Sequence, residues 1–139
     1  ATGAITEIGA VKVRSGEHTL FADEPASVGG LGTGLSPYEL VSAGLAACTV
    51  MTMRLYANRK GFPLERASTT VQHEKVPDMM PPDRFTRTIV LDGPLSDDQR
   101  ARILAIADRC PVDLSLIRGS DVQTELLSAS QAADPARLA

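Results

Sequence analysis

Small and apolar residues recur at the spacing of one helix face after Ser36. Their order is i, i+4, i+7, i+8, i+11 and i+15, filled by Leu40, Gly44, Ala47, Cys48, Met51 and Leu55. Ser36 precedes Pro37 and stands three residues before Glu39, which is the capping-box pattern of a helix N-terminus. Lys60 and Gly61 form a typical helix C-terminus. We therefore predict a long helix between Ser36 and Gly61, with this face buried.

A second helical pattern begins after Ser96, where Gln99 completes another capping box. The apolar positions i, i+3, i+4 and i+7 are Ile103, Ile106, Ala107 and Cys110. Pro111 should stop or kink this helix, because proline lacks the backbone N–H that a helix interior requires. The pattern thus predicts that Cys110, like Cys48, lies on the apolar face of its helix.

Five segments have the β-rich, roughly alternating composition of strands. They are residues 8–13, 19–22, 66–76, 85–91 and 120–127. The element order β-β-α-β-β-α-β, with strands grouped around two helices, predicts an α+β fold rather than alternating βαβ units. We expect a single domain over residues 1–139, with a frayed tail from about residue 128.

The composition is that of a soluble globular protein, with 139 residues, 43% hydrophobic and 22% charged. A net charge of −3 and the absence of Trp argue against nucleic acid or an anionic membrane as the main partner. The N-terminal residues lack the pattern of a signal peptide, and the most apolar window, residues 40–53, is too short to span a membrane. We expect a cytoplasmic location, where thiols are kept reduced.

Cys48 and Cys110 are the two cysteines of the chain. In a reducing compartment, a pair of cysteines that bonds is more often catalytic or redox-sensing than structural. However, a free cysteine on an apolar face also packs as a small hydrophobic residue. A reactive pair would need the two helices to meet and a group that stabilises a thiolate. The residue pattern alone leaves both interpretations open.

Three segments resemble conserved motifs of one known family. They are Ser36-Pro37-Tyr38-Glu39-Leu40 followed by Leu45-Ala46-Ala47-Cys48-Thr49; Asp108-Arg109-Cys110-Pro111-Val112; and Ala22-Asp23-Glu24-Pro25 before a Gly-Gly loop. The chain resembles the OsmC/Ohr family of osmotically inducible and organic hydroperoxide resistance proteins, in the branch with an S-P-x-E-L motif. The resemblance runs from about residue 8 to residue 127, and the two cysteine motifs together make it specific.

The resemblance implies an OsmC-like fold, in which two long central helices are wrapped by antiparallel strands in an intertwined homodimer. It also implies an antioxidant stress-response peroxidase. Cys48 would attack an organic hydroperoxide and become a sulfenic acid. Cys110 would then condense with it to a disulfide, which a dithiol reductant would reduce. No metal or organic cofactor is expected.

The resemblance is weaker for the group that activates the reactive cysteine. In the family, an arginine on the first hairpin does so and is held by a glutamate. The corresponding stretch here, Glu7-Ile8-Gly9-Ala10, has no arginine, so Arg14 is the candidate from this region. Glu39 is the candidate glutamate, although nine residues place it about half a turn from the face of Cys48. A capping-box acid is its simpler interpretation.

Other functions have less support from the sequence. A small-molecule-binding or redox-sensing stress protein on the same fold remains the main alternative. The Gly-rich stretch 29–35 leads into a helix N-terminus, which favours anions, but it matches neither phosphate-loop nor dinucleotide motifs. His18 and His73 are isolated from other metal ligands. No nucleophile-elbow motif supports hydrolysis by a serine triad.

Overall fold

The computed structural model describes residues 1–5 and 10–132. Its strands are β1 (Thr2–Ile5), β2 (Val11–Ser15), β3 (His18–Ala22), β4 (Arg66–Lys75) and β5 (Asp83–Asp92). Its helices are α1 (Pro37–Lys60), α2 (Asp97–Ala107), α3 (Pro111–Arg118) and α4 (Ala129–Ala132), with a short 3-10 helix at Ala26–Val28. Strands β1, β2 and β3 form one antiparallel sheet, and β4 and β5 form another. The predicted α+β fold is confirmed.

Helix α1 begins and ends where the sequence predicts. The Ser36 side chain accepts a hydrogen bond from the Glu39 N–H, and the Glu39 carboxylate accepts one from the Ser36 N–H. At the other end Gly61 adopts a left-handed φ of 66°, and its N–H bonds to the carbonyls of Ala57 and Asn58. Glycine suits this position because a Cβ would be strained there.

The buried face of α1 differs from the predicted one. The side chains that the chain buries are Ser42, Leu45, Thr49, Met53 and Ala57. In the predicted face, Gly44, Ala47, Met51 and Leu55 are exposed, and Cys48 is half-buried. The prediction was wrong because apolar residues surround most of this helix, so spacing alone does not select the side that packs. We call the row Gly44, Ala47, Met51 and Leu55 the open face of α1.

Helix α1 also exceeds the length of the apolar window that the sequence analysis considered. It has 24 residues, and an 18-residue window within it has a mean hydropathy of 1.4, so it is long and apolar enough to cross a membrane by length and composition alone. A core helix of a soluble protein meets the same criteria. In this chain α1 packs against β4, α2 and α3.

The hydrophobic core lies between α1, α2 and the inner side of the β4–β5 ribbon. Its buried members are Met53, Ala57, Leu64, Leu95, Ile103 and Ala107. The two strands pair in continuous register from Arg66 opposite Asp92 to Lys75 opposite Asp83. Side chains alternate along β5, so that Phe85, Arg87, Ile89 and Leu91 share its less exposed side. This alternation places a cation, Arg87, among inward-facing residues.

Of the five predicted strands, three are confirmed, one is confirmed in part and one is wrong. Segments 66–76 and 85–91 are β4 and β5, and 19–22 lies within β3. The segment predicted at 8–13 begins among residues outside the described ranges, and β2 starts at Val11. Strand β1 was not predicted. Segment 120–127 is not a strand: Val122 and Leu126 are exposed, and the segment pairs with no described strand.

The second helix is shorter than predicted, so Cys110 does not belong to it. Helix α2 ends at Ala107, and Cys110 is the N-cap of α3, with Pro111 as the first residue of that helix. Proline disfavours a helical conformation in the residue before it, and Cys110 is accordingly extended, with φ −66° and ψ 139°. Pro111 thus ends one helical pattern and starts the next.

Candidate active site

Cys110 is held in the interior at the junction of α2, α3 and α1. Its side chain is fully buried, with 0% relative exposure. The sulfur accepts the Asp113 N–H at 3.4 Å, as an N-cap side chain does. It also lies 3.8 Å from the Thr49 hydroxyl oxygen on α1. Cys110, the cysteine of the second motif, is therefore in contact with Thr49. Thr49 directly follows Cys48, the cysteine of the first motif.

Cys48 lies at the edge of the open face of α1. It precedes Thr49, so its side chain is rotated about 100° from the buried row. It is half-buried, and both cysteines are free thiols. Exposed Gly44 and Met51 are its neighbours one turn away on the same side of the helix. Cys110 thus contacts α1 at the residue after Cys48, and it is fully buried whereas Cys48 is half-buried.

Arg87 links the elements around Cys110. Only 14% of its side chain is exposed. Its Nη1 donates to the Thr49 hydroxyl oxygen and to the Ala107 carbonyl, both at 3.1 Å. Its Nη2 donates to Asp108 Oδ1 at 2.7 Å. The sequence analysis missed Arg87; the available signal was a cation at an inward position of the alternating strand 85–91.

Asp113 balances this cation on the other side of Cys110. Its Oδ1 lies 3.4 Å from Arg87 Nη1, and the residue is 9% exposed. Its Oδ2 is buried without a hydrogen-bond partner among the described residues. A buried carboxylate is costly unless a cation compensates it. Arg87 and Asp113 therefore depend on each other, and both fix the start of α3.

The predicted activating residues lie elsewhere in this chain. Arg14 is exposed in β2, opposite Thr2 and Thr19. The Glu39 carboxylate accepts the Ser36 N–H at 2.7 Å, and this bond lowers the pKa of Glu39. Within residues 1–5 and 10–132, neither Arg14 nor Glu39 has a hydrogen bond or ion pair with a cysteine. Their assignment to the site stays a prediction.

An open groove of about 760 Å³ lies between the first half of α1 and the β4–β5 ribbon. Its walls include Tyr38 and Glu39 from α1, and His73 from β4. The His73 ring stacks on Tyr38 with a centroid distance of 3.8 Å, and its Nε2 lies 2.8 Å from Asp83 Oδ1. This hydrogen bond is the main cause that lowers the pKa of Asp83. The groove is polar enough to admit a small molecule with hydrogen-bonding groups.

The Gly-rich loop is organised by an internal carboxylate. Asp23 Oδ2 accepts the N–H groups of Leu31 and Thr33, both at 3.1 Å, and the Thr33 hydroxyl at 2.7 Å. These bonds, chiefly that from the Thr33 N–H, lower the pKa of Asp23. Donors that a phosphate would need are therefore already bound to Asp23, which disfavours an anion site here.

Metal ligands are not clustered in the part of the chain that the structure describes. No group of three or more His, Cys, Asp or Glu side chains lies close enough there to hold a metal ion.

Comparisons with known proteins agree on one family. The family model described as OsmC-like protein matches residues 30–125. A Legionella pneumophila structure named as an organic hydroperoxide resistance protein OsmC has 27% sequence identity and a TM-score of 0.63, over 85% of this chain and 87% of that one. An OsmC-like protein from Mycoplasma pneumoniae has 20% identity and a TM-score of 0.71, over 84% of each chain. The organic hydroperoxide resistance protein OhrB of Bacillus subtilis has 21% identity and a TM-score of 0.56, over 82% and 86%.

The search of curated proteins found no match to the sequence. The family model, by contrast, spans well over half of the chain and contains both cysteine motifs. The structural similarities cover most of each compared chain, with the same mixture of helices and antiparallel strands. The chain belongs to the OsmC-like protein family.

Proposed function

We propose that this protein is a thiol-dependent peroxidase that reduces organic hydroperoxides, with Cys48 as the nucleophile and Cys110 as the resolving thiol. The contact between the Cys110 sulfur and Thr49, next to Cys48, is the observation that carries the proposal. The substrate class is supported by the organic hydroperoxide resistance protein of Legionella pneumophila, which is 27% identical to this chain. The electrons come from a dithiol reductant.

The proposed reaction has two thiol steps. The Cys48 thiolate attacks one oxygen of the peroxide, the O–O bond breaks, and the other oxygen takes a proton and leaves as an alcohol. Cys48 is then a sulfenic acid. The Cys110 sulfur attacks the Cys48 sulfur, and the S–O bond breaks. The hydroxyl leaves with the Cys110 proton as water, and a dithiol reduces the resulting disulfide by exchange.

The burial of the two cysteines supports this division of roles. Cys48 is the more accessible of the two thiols, because its side chain is only half-buried within the chain, so it is the thiol that meets a peroxide first. Cys110 has no exposed surface, so its natural reaction partner is a group within the protein. If Cys110 were the nucleophile instead, this fully buried thiol would have to meet the peroxide first.

The open face of α1 supports a homodimer. Met51 is 71% exposed and Leu55 is 52% exposed, although both are large and apolar. Gly44 and Ala47 on the same face are small, which allows a second helix to approach closely. Exposed apolar residues in a row are typical of an interface. We propose that a second copy of the chain covers this face in the cytoplasm and completes the environment of Cys48, where Arg14 and Glu39 are the candidate activating residues.

The test is the consumption of cumene hydroperoxide with a dithiol reductant, measured for the wild-type protein, Cys48→Ser and Cys110→Ser. We expect turnover in the wild type and its loss in Cys48→Ser. Cys110→Ser should still consume about one equivalent of peroxide before it stops, since its nucleophile is intact. Absence of turnover in freshly reduced wild-type protein would overturn the peroxidase proposal.

The groove beside Tyr38 and His73 favours a second candidate, a small-molecule-binding or redox-sensing protein. Its volume of about 760 Å³ lies in the usual range for ligand sites. Under this alternative, wild-type protein would show no peroxide turnover, but small-molecule binding would perturb the His73 ring in NMR spectra.

A further inference from the structure

The hydrogen bonds of the Thr49 hydroxyl define where its proton lies. A hydroxyl has one proton to donate and two lone pairs that accept. Thr49 Oγ1 lies 2.7 Å from the Leu45 carbonyl oxygen, which has no proton, so Thr49 must donate there. Arg87 Nη1, which is always a donor, uses one lone pair at 3.1 Å. One lone pair remains for the Cys110 sulfur at 3.8 Å.

This arrangement assigns a direction to the contact between Thr49 and Cys110. Because the hydroxyl proton is used on Leu45, the Cys110 S–H is the donor and Thr49 Oγ1 is the acceptor. The Asp113 N–H, which belongs to α3, donates a hydrogen bond to the same sulfur. The thiol at rest is thus fixed in orientation by a hydroxyl and a backbone N–H.

We propose that Thr49 is a positioning residue for the resolving thiol: it accepts a hydrogen bond from the Cys110 S–H at rest and donates a hydrogen bond to the Cys110 thiolate during attack on Cys48. The inference rests on the proposed function for its assignment of Cys110. When the thiol loses its proton, a lone pair of Thr49 would face a negative sulfur. Rotation of the hydroxyl proton from the Leu45 carbonyl to the sulfur removes this repulsion.

Arg87 keeps the hydroxyl in place while its proton changes partner. The guanidinium is anchored by the Ala107 carbonyl and by Asp108, neither of which takes part in the switch. Thr49 itself is fixed by its position on α1 directly after Cys48, so the switch acts beside the proposed nucleophile.

The attack by Cys110 is measured without peroxide by using Ellman's reagent. Half-buried Cys48 reacts first with the reagent to form a mixed disulfide and releases one thionitrobenzoate. The Cys110 thiolate then attacks the Cys48 sulfur, the bond to the second thionitrobenzoate breaks, and that group leaves with the electron pair. The rate of this second release measures the resolving step alone.

We compare the wild type with Thr49→Val, Thr49→Ser and Thr52→Val. Valine has nearly the shape of threonine but lacks the hydroxyl, so the second release should slow about tenfold or more, as expected for the loss of a hydrogen bond to a charged group. Thr49→Ser retains the hydroxyl and should restore a rate near that of the wild type. Thr52→Val is the control for loss of a hydroxyl elsewhere on α1.

Three outcomes would overturn the inference. The first is a second release in Thr49→Val at the wild-type rate, and the second is the absence of a second release in the wild type. The third is a Thr49→Ser variant as slow as Thr49→Val, which would show that the hydroxyl is not the relevant group. The peroxidase proposal is judged separately by peroxide turnover, so the failure of one is distinguishable from the failure of the other.

Discussion

The Cys110 sulfur lies 3.8 Å from the Thr49 hydroxyl oxygen, although the two residues are 61 positions apart in the sequence. Thr49 follows Cys48 directly, so this contact brings the second cysteine motif to the first. The contact needs the extended backbone of Cys110 before Pro111 and the packing of α3 on α1.

The two thiols should differ in access to a reagent. In the native protein, N-ethylmaleimide should modify Cys48 quickly, because that side chain is half-buried at the helix surface. Cys110 is fully buried and should react only through local opening, at a much lower rate. Peptide mass spectrometry over time measures both rates. Equal rates for the two thiols in folded protein would contradict the assigned burial.

Arg87 should contribute strongly to stability. In Arg87→Met, the carboxylate of Asp113 loses its cation while it remains buried, and we expect a loss of about 3 kcal/mol in the free energy of unfolding. Arg84→Met is the matched control on the same strand. Its side chain is 46% exposed and pairs with exposed Glu74, so the loss should be below about 1 kcal/mol.

Denaturant unfolding of both variants measures this difference. The double variant Arg87→Met with Asp113→Leu removes both charges and should recover much of the stability lost in Arg87→Met. Equal effects of Arg87→Met and Arg84→Met would refute the role of the buried pair.

The open face of α1 should control the oligomeric state. Met51→Lys places a charge on this face, where the single chain leaves the side chain 71% exposed, so the fold should persist while dimers dissociate. Met80→Lys is the matched control, because Met80 is 92% exposed in the loop between β4 and β5. Sedimentation measures the state of each variant. If the Met51→Lys variant forms dimers to the same extent as the Met80→Lys variant, this face is not the interface.

The Gly-rich loop should depend on the ionisation of Asp23. Its hydrogen bonds lower the pKa of Asp23 below the ordinary 3.8, so the folded loop favours the charged form. The stabilisation is therefore present above pH 3.8 and is lost as the pH falls through the lowered value. Asp23→Asn should remove it at neutral pH, because an amide nitrogen replaces one acceptor oxygen.

Hydrogen exchange of the Leu31 and Thr33 amides measures this effect. We expect faster exchange in Asp23→Asn than in the wild type, and no change in the control Asp78→Asn on an exposed loop. Unchanged protection of both amides in Asp23→Asn would refute the role of the carboxylate.

Local sequence signals predicted both ends of α1 and the start of α2. Capping boxes at Ser36 and Ser96 and the glycine at Gly61 act within a few residues, so their structural result is visible in the sequence. The alternating patterns of β4 and β5 were equally clear in the sequence. These features do not need knowledge of distant contacts.

The features that the sequence analysis missed depend on tertiary packing. Helix α1 is apolar on two sides, so the pattern did not show that Leu45 and Thr49 are buried while Met51 stays open. Cys110 continued the apolar spacing of α2, but Pro111 placed it at the start of a new helix. Arg87 became part of the candidate site only because β5 turns it toward Thr49.

The roles of the two cysteines are tested by mass spectrometry after one equivalent of cumene hydroperoxide is added to reduced protein. We expect the wild type to form a Cys48–Cys110 disulfide. We expect Cys110→Ser to gain one oxygen atom on Cys48, which dimedone traps as a sulfenic acid. Oxidation that appears first on Cys110, or no oxidation of either cysteine, would contradict these roles.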